Sequence, residues 1–262
     1  MTKKAFGIGL DVGSTTTKGV MIDRDGAILA SHLQGTGASA ASAVASVLGN
    51  LFIASGKTKD DCRIIGTGYG RNIVDMAHKT VTEITCHSVG VNALNPDIRL
   101  LIDVGGQDSK VIRIGSHGRP EDFELNDKCS AGTGRFLEVM ARVLEVSLDE
   151  LGPLALESKS PCTISSTCTV FAESEVIGRI GSGDSPADIA AGIHQSMASK
   201  IGSLSKRVGI VTPIGVTGGV ALNPAFRYYL SEVLKTELWM PEIPQLTGAL
   251  GAAIIALKDA EA

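Results

Sequence analysis

The chain has 262 residues, with 24 Lys and Arg against 28 Asp and Glu, a net charge of −4. At roughly 150 residues per domain this length suits one or two domains. The 44% hydrophobic content is enough for a full core, which excludes a disordered chain. The absence of a basic block argues against nucleic acid as the main partner, and no apolar run reaches the roughly 18 residues of a membrane span.

Met1-Thr2-Lys3-Lys4 and a short apolar run broken by Asp11 are too short for a signal peptide, so a cytoplasmic location is expected. The cysteines are Cys62, Cys86, Cys129, Cys162 and Cys168. An odd number in such a compartment predicts free thiols or metal ligands rather than disulfides.

In chain order, the first feature is a strand, Phe6 to Leu10, that runs into Asp11-Val12-Gly13-Ser14-Thr15-Thr16-Thr17-Lys18 and then into a second apolar stretch, Gly19 to Ile22. Turn residues follow at Asp23 to Gly26. An alanine-rich stretch with apolar positions three and four apart predicts a helix over 38–52, with Val44, Val47, Leu48 and Leu51 on one face. The opening pattern then recurs. Arg99 to Ile102 leads into Asp103-Val104-Gly105-Gly106-Gln107-Asp108-Ser109-Lys110, then Val111 to Ile114, then a turn at 115–118. A helix is expected over 132–146, with Phe136, Leu137, Met140, Val143 and Leu144 at helical spacing. Asp184-Ser185-Pro186 reads as a cap with proline in the first turn. The long helix behind it is lined by Ile189, Ile193, Met197, Ile201, Leu204 and Val208. A strand at 214–217 enters Gly218-Gly219, and 246–257 is a helix rich in small residues. The repeat divides the chain into halves at 1–95 and 96–262, with the final helix (246–258) free to cross back.

The first Asp-Val-Gly turn suits a phosphate. Gly13 allows close backbone approach, successive N–H groups and the hydroxyls of Ser14, Thr15 and Thr16 can donate, Lys18 can neutralise charge, and Asp11 can hold magnesium. Alone it would be an ordinary glycine-rich β-turn. The second copy is what favours a clamp around one nucleotide, with Asp103 as the second magnesium carboxylate and Gln107 orienting the attacking water. The spacing matches neither a Walker loop nor GxGxxG. Thr217-Gly218-Gly219-Val220-Ala221-Leu222-Asn223 reads either as an adenosine loop or as a plain strand-to-helix turn.

The order of these pieces resembles the actin, hexokinase and acetate kinase superfamily. That resemblance implies an α/β fold of two ribonuclease-H-like halves around a nucleotide cleft. Four further segments sharpen it: Gly66-Thr-Gly-Tyr-Gly-Arg-Asn72, Asn126-Asp-Lys-Cys129-Ser-Ala-Gly132-Thr-Gly134-Arg135-Phe136, Ser165-Ser-Thr-Cys168-Thr-Val-Phe-Ala-Glu-Ser-Glu175, and Pro244-Gln245-Leu-Thr-Gly-Ala-Leu-Gly-Ala-Ala253. Over nearly the whole chain these are similar to the activators of 2-hydroxyacyl-CoA dehydratases (component A) and the ATP-binding subunits of benzoyl-CoA reductase.

The resemblance implies a homodimer holding one [4Fe–4S] cluster, with Cys129 and Cys168 as the ligands from each chain. It also implies an ATPase that passes a low-potential electron from ferredoxin or flavodoxin to an acyl-CoA dehydratase or reductase. Gly132, Gly134, Arg135 and Gln245 join the expected ATP site through the same segments. Cys62, Cys86 and Cys162 lack such context. His87 is expected to be packed rather than metal-bound. Glu173 and Glu175 fit a metal or partner site and a solvated helix face equally well. Two other classes use the same turns: a small-molecule kinase and a nucleotide switch without electron chemistry. Both leave the cysteine segments unexplained.

Overall fold

The computed structural model describes residues 6–165 and 168–261. Met1 to Lys4 of the N-terminal reading, and Ser166 and Thr167 of the Cys168 segment, lie outside the described residues. In chain order the elements are β1 (Phe6–Val12), β2 (Thr16–Ile22), β3 (Ile28–Gly35), α1 (Ala40–Ser55), β4 (Cys62–Thr67), β5 (Lys79–Thr80), α2 (Glu83–Leu94), β6 (Leu100–Val104), β7 (Ser109–Ile114), β8 (Pro120–Asn126), α3 (Gly134–Val143), α4 (Leu148–Leu156), α5 (Thr169–Gly181), α6 (Pro186–Val208), β9 (Ile214–Thr217), α7 (Pro224–Leu234), β10 (Leu238–Trp239) and α8 (Thr247–Glu261).

The chain forms two α/β units. The first runs through Ile98, adds Ile114–Glu121 and resumes at Gln245, which gives it α8. The second holds Arg99–Arg113 and Asp122–Pro244. The first sheet has the order β3-β2-β1-β4-β5 and the second β10-β9-β6-β7-β8. Read from the opposite edge, the second order repeats the first. In each, a hairpin supplies the antiparallel partner of the central strand, and a later strand pairs with it in parallel. This is the duplicated α/β class expected from the two Asp-Val-Gly turns.

β1 is buried from Gly7 to Val12, so it reads as a continuous apolar run rather than an alternating one. The small residues of α8 explain one covering. Gly9 lies where any side chain would run into the Ala249 carbonyl, and Gly90 of α2 lies likewise against Thr247. In the second unit Phe136, Met140, Ile193, Met197 and Phe226 fill one core beneath β6 and β9.

Caps set the helix ends. Ser39 accepts from the Ser42 N–H and Gly56 closes α1 at φ 66°, so α1 starts two residues later and ends three later than expected. α3 starts at Gly134 rather than 132, because Gly132 has φ +92° and Thr133 takes the cap position. Ser185 and Pro186 open α6 as anticipated. Among the described residues no helix is long and apolar enough to cross a membrane.

Candidate functional site: twin turns and a pair of cysteines

The antiparallel register explains the seven-residue spacing from aspartate to lysine. Asp11 pairs with Lys18 and Val12 with Thr17, leaving Gly13 to Thr16 as the turn, closed by the Gly13 N–H donating to the Thr16 carbonyl at 3.0 Å. Asp103 pairs with Lys110 and Val104 with Ser109, and the Gly105 N–H donates to the Asp108 carbonyl, also at 3.0 Å. Side chains directly opposite on antiparallel strands share one face, so each lysine meets its aspartate. Lys18 Nζ lies 3.1 Å from Asp11 Oδ2, with both side chains largely buried. Lys110 Nζ lies 3.5 Å from Asp103 Oδ2 and 2.7 Å from Asp108 Oδ2.

Around these pairs the two turns differ. Ser14 and Thr15 are exposed at the first tip. Thr17 is turned inward, its hydroxyl 2.9 Å from that of Thr36, which donates to the Gly13 carbonyl at 2.8 Å. Thr36, just past the end of β3, thus buttresses the turn, and no sequence motif marked it. At the second tip Gln107 is exposed. The carbonyls of Gly105 and Gly106 accept from the N–H groups of Gly134 and Arg135, each at 2.8 Å, so the start of α3 sits on this turn. The Arg135 side chain leaves the turn and pairs with Glu138 at 2.8 Å.

A second duplicated feature was not read from the sequence. In the parallel pairing Asp11 aligns with Thr67 and Asp103 with Thr217. Each threonine is followed by a left-handed glycine, Gly68 at φ +91° and Gly218 at φ +87°. A Cβ on Gly68 would lie 2.7 Å from Asp11 Oδ1, and one on Gly218 would collide with the Val104 backbone. Aligning the two Thr-Gly dipeptides would have revealed the repeat. Beyond Gly218 the chain makes a tight helical turn at Gly219–Leu222, which includes Val220, and Asn223 caps α7 by accepting from the Phe226 N–H at 3.0 Å. Gln245, in the first unit, is half-buried.

His87 is buried, with Nδ1 3.0 Å from the Thr247 hydroxyl. A Cβ on Gly248 would come 2.9 Å from His87 Nε2 and 3.1 Å from Asp11 Oδ2, so α8 opens beside the first aspartate. This is the packed role expected of His87, in a position that sequence reading did not connect to Asp11. Glu175 accepts from the Ser165 N–H and hydroxyl, which makes it a brace for the segment before Cys168.

Cys129 is half-buried and Cys168 exposed, the latter at the cap position of α5. One bond joins their neighbours: the hydroxyls of Ser130 and Thr169 lie 2.7 Å apart. Asn126 Nδ2 donates to the carbonyls of Cys129 (2.8 Å) and Ala131 (3.1 Å). Cys62 and Cys86 are buried, and burial pushes the Cys86 thiol up to about 12. Burial also raises Cys162, and its N–H is tied to the Asp188 carbonyl. No group of three or more His, Cys, Asp and Glu suited to a metal exists among the described residues.

Residues 8–256 match the BadF/BadG/BcrA/BcrD ATPase family. The chain is 44% identical to the activator of 2-hydroxyisocaproyl-CoA dehydratase from Clostridium difficile, whose structure was solved with bound ADPNP; the match covers 98% of this chain and 96% of that one, with a TM-score of 0.91. The crystal structure of (R)-2-hydroxyglutaryl-CoA dehydratase component A from Acidaminococcus fermentans is 42% identical, over 98% and 100% of the two chains, with a TM-score of 0.95. A benzoyl-CoA reductase polypeptide of Thauera aromatica is 35% identical over 65% of this chain and 63% of its own length. Its duplicated turns, its cysteine segments and these similarities over nearly its whole length show that the chain belongs to the BadF/BadG/BcrA/BcrD ATPase family.

Proposed function

We propose that the protein is an ATP-dependent activator of a 2-hydroxyacyl-CoA dehydratase, working in the cytoplasm as a homodimer. The observation that carries this reading is the Ser130–Thr169 bond, which brings the Cys129 and Cys168 segments together in a chain that is 44% identical to such an activator. The reductase polypeptide matches less of the chain at lower identity, so a dehydratase is the favoured electron acceptor.

The donor set fits an iron–sulfur cluster shared by two copies. A cubane takes four thiolates, and each chain offers Cys129 and Cys168 on neighbouring segments, the latter at the cap position of α5. The bound cluster supplies a one-electron carrier of low potential. In net terms, one electron moves from reduced ferredoxin or flavodoxin to the dehydratase while ATP is hydrolysed to ADP and phosphate.

The chain's own residues bind and position the nucleotide. Gly13 and Gly105 let the backbone approach the phosphates, while the N–H groups and hydroxyls of Ser14 to Thr16 and the backbone N–H groups of Gly106 to Asp108 donate to phosphate oxygens. Asp11 and Asp103 hold the magnesium ion, and Lys18 offsets phosphate charge. Exposed Gln107 orients water for attack. Val220 and its neighbours at Gly218 and Gly219 take the adenosine. Such hydrolysis needs positioning and charge stabilisation more than covalent help. Nucleotide-linked movement within the protein then governs when the electron is released.

The test is to mix anaerobically purified protein with a 2-hydroxyacyl-CoA dehydratase, a low-potential reductant and its acyl-CoA. Dehydration that starts only when ATP and magnesium are added supports the reading. Turnover unaffected by the protein or by ATP in every one of a panel of such dehydratases, each with its own acyl-CoA, would refute it.

A further inference from the structure

The segment from Asn126 to Arg135 is tied at one end to the second phosphate turn and at the other to both cysteine segments. The first N–H groups of a helix have no partner within it. Here two of them, on Gly134 and Arg135, are spent on the carbonyls of Gly105 and Gly106, at 2.8 Å each. Any shift of that turn therefore moves the start of α3. Thr133, fully buried, passes the constraint back: its N–H and hydroxyl both reach the Ser130 carbonyl, at 3.0 and 2.7 Å. Ser130 in turn bonds Thr169, next to Cys168.

Asn126 fixes the remaining side. Its amide nitrogen donates to the carbonyls on both sides of Ser130, those of Cys129 and Ala131, and lies 3.5 Å from the hydroxyl of Ser109, the residue after Asp108. Only a side-chain amide or a cation offers such donors at this reach, and the amide does so without adding charge beside the thiols. Gly132, at φ +92°, lets the strap double back between these anchors. Each bond lies within the second unit, so the link requires no motion between units.

We infer that Asn126 is a positioning residue that makes the Cys129 turn move with the second phosphate turn, so that the nucleotide state is felt at the thiols. The inference rests on the activator reading above. Asn126 bonds the peptide leading into Gly132 and reaches no backbone group of either phosphate turn, so its removal weakens the coupling far more than the binding.

The experiment compares wild type with Asn126→Ala and Asn126→Ser, all purified anaerobically. Two quantities are measured: nucleotide Kd, and the rate at which an iron chelator removes iron with and without magnesium and ATP. Visible circular dichroism of the iron–sulfur chromophore, recorded with and without nucleotide, gives a second signature. In wild type, nucleotide should change the extraction rate about fivefold or more, the low end of ordinary coupling between sites. Asn126→Ala should keep the iron and hold Kd within about twofold, under a third of the about 1.4 kcal/mol that a tenfold change represents, yet lose the nucleotide response in both readouts.

A variant that keeps the full response, or a wild type that binds nucleotide and iron but shows no response, overturns the inference while leaving the activator reading intact. Loss of nucleotide binding in Asn126→Ala also overturns it, because the residue would then act on the binding site itself. Iron-free wild type sinks the activator reading and the inference with it. Should Asn126→Ala not fold, Asn126→Ser decides by the same two readouts, since it removes the amide donors with a smaller loss of volume.

Discussion

Thr217 donates its hydroxyl hydrogen to Asp103 Oδ1 at 2.8 Å, and both side chains are buried. Its counterpart Thr67 aligns with Asp11 in the same way, but its hydroxyl reaches no nitrogen or oxygen partner and lies beside the Cys86 thiol. The repeat has therefore kept the residue and changed its use. Thr217→Val strips a bond from a buried carboxylate and should cost about 1–3 kcal/mol. Thr67→Val removes a buried hydroxyl with no such bond to lose, and should be neutral or stabilising by up to about 1–3 kcal/mol. Urea denaturation of the two variants checks the difference, and equal losses would show that the threonines are equivalent after all.

Asp11 and Lys18 form a largely buried pair at the first turn. Asp11→Asn preserves the shape and removes the charge. In the proposed mechanism it should lower ATP turnover by about 10² or more, the range typical of losing one electrostatic stabiliser. Steady-state phosphate release measures this. A variant within a few-fold of wild type would remove Asp11 from the chemistry.

Gly248 has room for no side chain, since a methyl there would press on both His87 Nε2 and Asp11 Oδ2. Gly248→Ala should therefore cost about 1–3 kcal/mol through overpacking, and it should also weaken magnesium-dependent nucleotide binding by displacing the aspartate. Calorimetric titration with and without magnesium separates the two effects. A stability loss with unchanged magnesium dependence would confine Gly248 to packing.

The duplicated turns were legible because aspartate, glycine and lysine recur at fixed spacing, and the strand register converts that spacing into contact. The long helix α6 was legible from its apolar period and its Ser185-Pro186 start. What stayed hidden was set by tertiary contact. β3, β8, α2 and α7 carry no comparable signal, and Thr36 acts only because β3 brings it over the first turn. His87 and Asp11 both border the opening of α8, whose Thr247 lies 160 residues beyond His87. The cysteine pair gave no local motif of its own. The resemblance singled it out, and the bond between Ser130 and Thr169 shows how the fold joins the two segments.

His194 is fully buried, with Nδ1 2.7 Å from the Ala190 carbonyl. Burial holds it below its ordinary 6.5, partly offset by Ala190 and Asn223. The unfolded chain then takes up the proton more readily than the folded one. Stability is full above 6.5 and falls as the pH drops below that value, by up to about 1.4 kcal/mol per pH unit. Denaturant titrations between about pH 7.5 and 5 on wild type and His194→Gln, a range that brackets the imidazole midpoint, test this. The slope should be shallower in the variant, and an unchanged slope would assign the acid sensitivity to other groups.

Iron content of protein purified without oxygen bears most directly on the electron-transfer reading. The account predicts a brown dimer with about four irons per two chains, and a colourless, nucleotide-binding product for both Cys129→Ser and Cys168→Ser. Wild type that emerges iron-free under those conditions, or either serine variant retaining its full iron, would contradict it.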